Sequence, residues 1–307
     1  MLSRRAFLQW ALSVSLSATA WAEGMPPADQ GESRLVRPAE VAMPRVAILD
    51  WGLTEMALTL GIVPVGIAAP DWYRRLFAAP VLPSRVQDVG LLFQPNFETL
   101  KALNLDAIII TPAHGLLRDA LTGIAPLVTL GDWGGRPLAK IERDTRLMAR
   151  TFGREAEAAV LLAQSAQRLA QARAQLAPLR GTEVFLATVA DVLHLQLQTS
   201  GGLFDDVTGR LGLKNAWRGG GNGWGEALVE LQQIAAAKQA RLVSLGKTGG
   251  VPPEADTPLW RSLPLTQRNN IVPMPAGLSS TGALLTAVRF AEALAAGLSR
   301  AGELRHV

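Results

Sequence analysis

The sequence has no cysteine among its 307 residues and only three histidines. Without thiols the chain forms neither disulfides nor thiolate metal sites, and it lacks the residue that carries the lipid of a bacterial lipoprotein. Three histidines nearly exclude a multi-histidine metal site as well. We therefore expect no cofactor, and any metal that the protein handles should arrive already bound to its own chelator.

The N-terminus has the pattern of a removed signal peptide. A twin-arginine pattern at Arg4 and Arg5 precedes a short apolar stretch, which ends in the small-residue motif Ala-Trp-Ala at 20–22. The apolar stretch is too short and too rich in Ser and Thr for a comfortable membrane-spanning helix. We predict export to the periplasm by the twin-arginine route with cleavage after Ala22, and a flexible leader over residues 23–43.

Motifs of common enzymes are missing. The chain has no Gly-x-Ser-x-Gly elbow, no P-loop and no Gly-x-Gly-x-x-Gly turn. The glycine-rich run 219–221 continues as Asn-Gly-Trp, without the Lys and Ser/Thr that hold phosphate. The twin-arginine route often carries enzymes, so an exported enzyme stays as a disfavoured alternative.

The net charge does not indicate nucleic-acid binding either. After loss of residues 1–22, 28 basic groups face 26 acidic ones, which is too balanced for a phosphate-binding surface. The remaining length is in the range where a single core begins to divide, so two domains are expected.

Short apolar segments alternate with helical ones along the chain. The clearest predicted strands are 45–49, 107–110, 184–187 and 241–244, and helices are predicted at 53–60, 96–103 and 202–211. Such alternation is typical of layered α/β domains. The phrase around Leu60-Gly61 has a counterpart around Leu211-Gly212, which suggests two similar lobes and a ligand held between them.

A long helical segment separates the two halves. Residues 154–177 contain neither Gly nor Pro, and Leu162, Leu169 and Leu176 form one apolar stripe before Pro178. This helix could be a strut that joins two lobes, or an ordinary amphipathic helix packed on one of them. The predicted division is an N-terminal lobe over 44–152, a connecting helix over 153–178 and a C-terminal lobe over 179–307.

Several phrases together resemble a known family. They are Asp50-Trp51, Asp88-Val89-Gly90-Leu91 and Gln94-Pro95-Asn96-Phe97-Glu98 in the first half, and Asn215-Ala216-Trp217 and Asn222-Gly223-Trp224-Gly225 in the second. With them the chain resembles the ferric-hydroxamate-binding branch of the helix-strutted periplasmic binding proteins. The resemblance implies two α/β lobes joined by a long rigid helix, and a shallow cleft. It also implies delivery of a ferric siderophore to an inner-membrane ABC permease, and we expect the protein to act as a monomer.

Tryptophan-rich loops fit a bulky, weakly charged chelate. Trp offers a broad flat surface with one hydrogen-bond donor, and α/β folds bind ligands at loops after strands. We predict ligand contact for four of the five loop tryptophans and for Tyr73 and His114. The loop tryptophans are Trp51, Trp72, Trp133, Trp217 and Trp224, with Trp217 and Trp224 favoured, and the candidate ligand-binding set is Trp51, Tyr73, His114, Trp133, Trp217 and Trp224. Trp260 is expected in the core.

The chain departs from the family pattern at two positions. Leu92 stands where the resemblance implies an arginine that meets hydroxamate oxygens, and leucine supplies no donor. His114 stands at the position of the family's tyrosine, where it can donate one hydrogen bond or simply be a loop residue. Arg74 and Arg75 are possible substitutes for the guanidinium, although a solvated pair is favoured.

The resemblance also implies one acidic residue on each lobe for docking to the permease. Glu98 matches the first position, whereas Gln232 occupies the second, with Glu230 and Glu226 nearby as possible replacements. We predict docking through Glu98 and Glu230.

Haem or cobalamin binding by the same fold is the main alternative to a siderophore ligand. Haem is disfavoured because it usually takes an axial His or Tyr, and the chain has one Tyr.

Overall fold

Two β-sheets, each built from short apolar strands, form the framework of the protein. We analysed a computed structural model, which describes residues 44–303 except 133–136, 236, 238, 247–256 and 267–269. The first sheet is parallel and has the order β3-β2-β1-β6-β7. Its strands are β1 Val46–Ile48, β2 Gly66–Ile67, β3 Gln87–Asp88, β6 Ala107–Ile110 and β7 Leu127–Thr129, and a separate antiparallel pair is β4 Gly90–Leu91 with β5 Gln94–Pro95.

The second sheet is mixed and has the order β11-β9-β8-β12-β13, with β10 paired to β8. Strands β8, β10, β12 and β13 run parallel, whereas β9 is antiparallel to both of its neighbours. The strands are β8 Glu183–Val189, β9 His194–Gln198, β10 Lys214–Asn215, β11 Glu226–Glu230, β12 Arg241–Ser244 and β13 Ile271–Pro273.

Helices follow the strands of both sheets, and a helical segment lies between the sheets in sequence. In the first half they are α1 Trp51–Thr59, α2 Pro70–Leu76, α3 Phe97–Ala102 and α4 Arg118–Thr122. The intervening helices are α5 Pro137–Phe152 and α6 Glu155–Gln175, followed by α7 Leu203–Arg210, α8 Leu231–Ala235, α9 Pro258–Ser262 and α10 Leu284–Glu303. Among the described residues, no helix is both long and apolar enough to cross a membrane.

Successive strand residues point to opposite faces of each sheet, and this alternation divides the core. Val46 and Ile48 of β1 lie in the same hydrophobic cluster as Val184 and Leu186 of β8. Their neighbours in sequence lie in separate clusters, one on the far face of each sheet. One continuous core therefore contains side chains from both sheets, and residues 43–307 form one compact unit.

The paired Leu-Gly phrases have the same structural role. Leu60 and Leu211 are the C-cap residues of α1 and α7. The following Gly61 and Gly212 have φ of 76° and 86°, the left-handed conformation that ends a helix with least strain in glycine. The repeated Leu-Gly phrase of the sequence thus corresponds to the same type of helix C-terminus in both halves of the structure.

Two segments contain shorter elements than their apolar sequence suggests. In residues 62–68 only Gly66–Ile67 is a strand, because Pro64 has no N–H to donate to a ladder. In residues 112–122 a 3₁₀ turn over Pro112–Leu117 precedes the helix that begins at Arg118. The α/β fold class is confirmed, whereas the lobe boundaries and the strut role of the long helix stay predictions.

Helix α6 is packed along two other helices, α5 and α10. Arg168 of α6 donates from Nε and one terminal nitrogen to the two carboxylate oxygens of Glu292 on α10, with both distances 2.7 Å. This bidentate geometry fixes orientation as well as distance. It joins the segment between the sheets to the last helix of the chain.

A buried carboxylate connects the first helix with the last. Glu55 of α1 is fully buried, and its Oε1 accepts from the N–H of Thr286 at 2.9 Å. Its Oε2 accepts from the N–H of Ala283 at 3.1 Å and from the Thr286 hydroxyl at 2.6 Å. Burial raises the pKa of Glu55 above its ordinary value, and these hydrogen bonds offset only part of that rise. The side chain thus satisfies donors at the start of α10 that no helical carbonyl can reach.

We predict that Glu55→Gln lowers the free energy of unfolding by about 2–4 kcal/mol, because an amide accepts at one atom only and leaves buried donors unpaired. Denaturant unfolding followed by circular dichroism measures this difference. The control is Glu157→Gln, whose exposed carboxylate pairs with Arg154, and its midpoint should stay nearly unchanged. Equal stability of the wild type and Glu55→Gln would contradict the assigned role.

Candidate functional site

A cleft of about 450 Å³ lies between loops of the two sheets. Most of its lining comes from segments that directly follow strands, as expected for α/β sheets, whose ligand sites form beyond the carboxyl ends of strands. The first-sheet side is Asp50, Trp51, Leu92, Phe93, Thr111, Pro112, Ala113, Gly131 and Asp132, and the helix α5 adds Pro137 and Ile141. The second-sheet side is Gly201, Gly202, Leu203, Gly223, Trp224, Glu226, Ser280, Thr281 and Gly282.

Trp51 is fixed at one wall by the start of α1. Asp50 is the N-cap of this helix, and its Oδ1 accepts from the N–H of Leu53 at 2.8 Å. Burial raises the pKa of Asp50, whereas this hydrogen bond lowers it. The indole N–H of Trp51 donates to the carbonyl of Ala68 at 2.9 Å, so its single donor is satisfied and its ring is held in place.

His114 lies behind the cleft and supports its wall. The imidazole is 1% exposed, and it is not among the lining residues. Its Nε2 lies 3.0 Å from the carbonyl oxygen of Leu92, which can only accept, so Nε2 carries a proton and donates to it. Nδ1 lies 2.9 Å from the hydroxyl oxygen and 3.2 Å from the backbone nitrogen of Thr111. The ring also packs on Phe93, with centroids 5.0 Å apart, so His114 holds the two wall residues that follow β4.

The wall near β4 is apolar. Leu92 lies in the cleft lining, where the resemblance implied an arginine, and the ring of Phe93 beside it is half exposed. Arg74 and Arg75 do not replace the guanidinium, because neither lines the cleft. Arg74 pairs with Asp71 at 3.1 Å, and the guanidinium of Arg75 lies 5.5 Å from the ring centre of Trp72.

Trp224 projects from the loop between β10 and β11. Its side chain is 64% exposed and lines the cleft. The Oδ1 of Asn222 accepts from the N–H groups of Trp224 and Glu226 at 2.9 and 3.0 Å. This side-chain-closed turn is a common use of asparagine in loops, and it sets the direction of both following residues.

Glu226 faces the cleft, a position that sequence reasoning missed. Its Oε1 accepts from the Gln198 amide at 3.1 Å and from the Ser280 hydroxyl at 3.0 Å, and its Oε2 accepts from the Gln196 amide at 3.3 Å. The signal was present in the alternation of Gln196 and Gln198 along β9. Reading it required the antiparallel register that places Gln198 opposite Glu226.

Besides His114, three predicted ligand contacts are not among the described cleft residues. The buried Tyr73 donates from its hydroxyl to the carbonyl of Pro80 at 3.1 Å, and burial raises its pKa. Trp217 packs against the second-sheet cluster and donates to the carbonyl of Gly220 at 3.1 Å. Trp133 lies outside the described residues. The ligand roles of all three stay predictions.

Other single-residue expectations can be located as well. Trp260 is in the core, as expected, with its indole N–H donating to the carbonyl of Val192 at 3.1 Å. Both predicted docking acids are exposed, Glu98 in the first turn of α3 and Glu230 at the end of β11. Exposure is compatible with docking and does not test it.

Metal ligands are not grouped in the described part of the chain. No set of three or more His, Asp or Glu side chains there is close enough to hold a metal ion. His194, for example, is a surface residue whose Nδ1 contacts Asp191 at 2.9 Å. The cleft instead offers aromatic surfaces, the carboxylates of Asp50, Asp132 and Glu226, and loop backbone.

Two β-sheets flanked by helices, with an open cleft between the loops at their strand ends, are the architecture of a ligand-binding protein. A family model described as "Periplasmic binding protein" matches residues 46–277, so the chain belongs to this family. Its homologues are substrate-binding proteins.

Three relatives are similar to this chain over most of its length. The iron(3+)-hydroxamate-binding protein FhuD of Escherichia coli is 29% identical over 254 residues, covering 81% of this chain and 85% of that protein. The crystal structure of Vibrio cholerae FhuD bound to Fe³⁺-Desferal matches with a TM-score of 0.76 and 26% identity, covering 85% and 99% of the two chains. The Fe(3+)-citrate-binding protein YfmC of Bacillus subtilis is 26% identical over 233 residues, covering 74% and 71%.

Proposed function

We propose that this protein captures a ferric siderophore of the hydroxamate type in its cleft and delivers it to an inner-membrane ABC permease. The observation that carries the proposal is the aromatic cleft formed by Trp51, Phe93 and Trp224. It occurs in a chain that aligns over most of its length with an iron(3+)-hydroxamate-binding protein. Iron enters only as part of the ligand, so the protein needs no metal site of its own.

The physical chemistry of such a ligand matches the walls. Three hydroxamates carry one negative charge each and together neutralise Fe³⁺, so the iron centre has no net charge. The complex as a whole is bulky. Such a ligand gains most from burial of its apolar backbone, at roughly 25 cal/mol per Å² of apolar surface. The volume of the cleft is within the roughly 300–1,000 Å³ range of small-molecule sites.

Haem and cobalamin are the second candidates, because the same fold holds such ligands. Haem takes an axial His or Tyr in many proteins. Here Tyr73 and His114 are buried and bonded to backbone groups, and neither lines the cleft. This arrangement favours a chelate that brings its own iron ligands.

A titration of the exported protein tests the ligand class. We expect saturable quenching of Trp emission by ferric desferrioxamine or ferrichrome at micromolar concentration or below. Ferric citrate, haem and cobalamin should give none. Trp224→Ala should weaken hydroxamate binding about tenfold, the loss of roughly 1.4 kcal/mol of aromatic contact.

The matched control is Trp72→Ala, because Trp72 is also exposed but lies outside the cleft lining. Its affinity should equal that of the wild type, and free tryptophan corrects for inner-filter loss. Saturation by haem or cobalamin alone would keep the fold and overturn the substrate. An equal loss in both variants would argue against contact at Trp224.

We also propose that the protein reaches the periplasm by the twin-arginine route, with the mature chain starting at Glu23 and acting as a monomer. The support is the N-terminal pattern around Arg4 and Arg5. Replacing both arginines by lysine should retain the precursor in the cytoplasm, as measured by fractionation and mass spectrometry. Normal export of that variant would contradict the route.

Docking on the permease is proposed through Glu98 and Glu230. Both are exposed acids on different halves of the chain, and rim charges set the register of a complex more than its affinity. Glu98→Arg combined with Glu230→Arg should reduce uptake of radioactive ferric siderophore by about tenfold in cells that carry the importer. Ligand affinity in vitro should not change. Glu155→Arg on α6 is the control, and equal uptake by both variants would exclude this docking mode.

A further inference from the structure

The described lining of the cleft is acidic. It contains Asp50, Asp132 and Glu226, and no Lys or Arg among the residues that the structure describes. Two of these acids have other partners. Asp50 caps α1 through the N–H of Leu53, and Asp132 lies 3.7 Å from the ammonium of Lys140.

Glu226 differs from the other two because its carboxylate neither caps a helix nor belongs to an ion pair among the described residues. There its hydrogen-bond donors are the amides of Gln196 and Gln198 and the hydroxyl of Ser280, all of them neutral. None of the ion pairs found within the described ranges includes Glu226. Neutral donors fix the direction of the carboxylate, and no described residue supplies a counterion for its charge.

The neighbouring side chain of Gln198 has an acceptor without a partner among the described residues. The amide nitrogen of Gln198 donates to Glu226, so its Oε1 must point away from the carboxylate. Gln198 is only 4% exposed, and this Oε1 has no hydrogen-bond partner in the described part of the protein. A Cβ built on Gly202, which lines the cleft, would lie 3.7 Å from that oxygen. An unpaired buried acceptor is costly, and a donor from a ligand would remove the cost.

We propose that Glu226, oriented by Gln198, selects ferric chelates that carry a protonated amine. An ammonium group has three donors, no acceptor and a positive charge, which matches a carboxylate whose described hydrogen-bond partners are all neutral. The inference rests on the proposed function and adds the charge of the preferred ligand. Apolar walls hold the uncharged iron chelate, while Glu226 binds the cationic end.

Two ligands that share one iron chelate and differ at the terminal amine test the inference. Ferric desferrioxamine B has a free terminal amine, and its N-acetyl derivative keeps the same iron chelate without the charge. We expect the wild type to prefer the amine form about tenfold, as a charge-assisted hydrogen bond in a half-open cleft supplies. The preference should fall as ionic strength rises. Glu226→Gln should lose the preference and bind the amine and acetylated forms equally.

The control variant is Glu183→Gln, which removes one carboxylate from the same sheet outside the cleft lining and should keep the full preference. Loss of both ligands to the same extent in Glu226→Gln would overturn the proposal, since it would mean that Glu226 only maintains the loop. Equal binding of both forms by the wild type, or a preference insensitive to salt, would overturn it without any variant. Failure of the wild type to bind either ferric hydroxamate is a different result, because it rejects the proposed function itself.

Discussion

The hydrogen bonds of Glu55 are the constraint on which the relation between the two sheets depends. They place a carboxylate of the first helix against the start of the last one, with Thr286 and Ala283 donating in a fully buried environment. A buried charge is unfavourable unless its acceptor sites are filled, so this contact tolerates little displacement. The start of α10 is thereby aligned with α1, and both cleft walls begin next to this junction, at Trp51 and at Gly282.

The cleft combines two kinds of contact with different purposes. Aromatic and aliphatic side chains such as Trp51, Leu92 and Trp224 provide surface with few directional demands, which suits a chelate that hides its own metal. Behind them, His114 and Asn222 orient the loops by hydrogen bonds to backbone groups. Leu92 supplies no polar group to the first wall, and the polar contact that we propose lies on the opposite wall, where the described partners of Glu226 are neutral.

Sequence reasoning located the framework well and the site in part. Strands such as Ala107–Ile110 and Arg241–Ser244 are continuous apolar runs between turn residues, so their bounds follow from local pattern. The cleft residue Glu226 depended on strand register, and the buried position of His114 depended on a contact with Leu92 across 22 residues. Trp217 and Trp224 stand in similar Gly- and Asn-containing loops, yet only the second lines the cleft. Tertiary packing decides between them, and a local sequence window does not contain that information.

The core shared by the two sheets has an evolutionary consequence. Val46 and Val184 belong to one cluster, so a change in the spacing of the walls would require simultaneous repacking of both sheets. Side chains on the strand-end loops can be exchanged without this penalty. Cargo should therefore diverge in this family by substitution on a conserved frame, one loop position at a time.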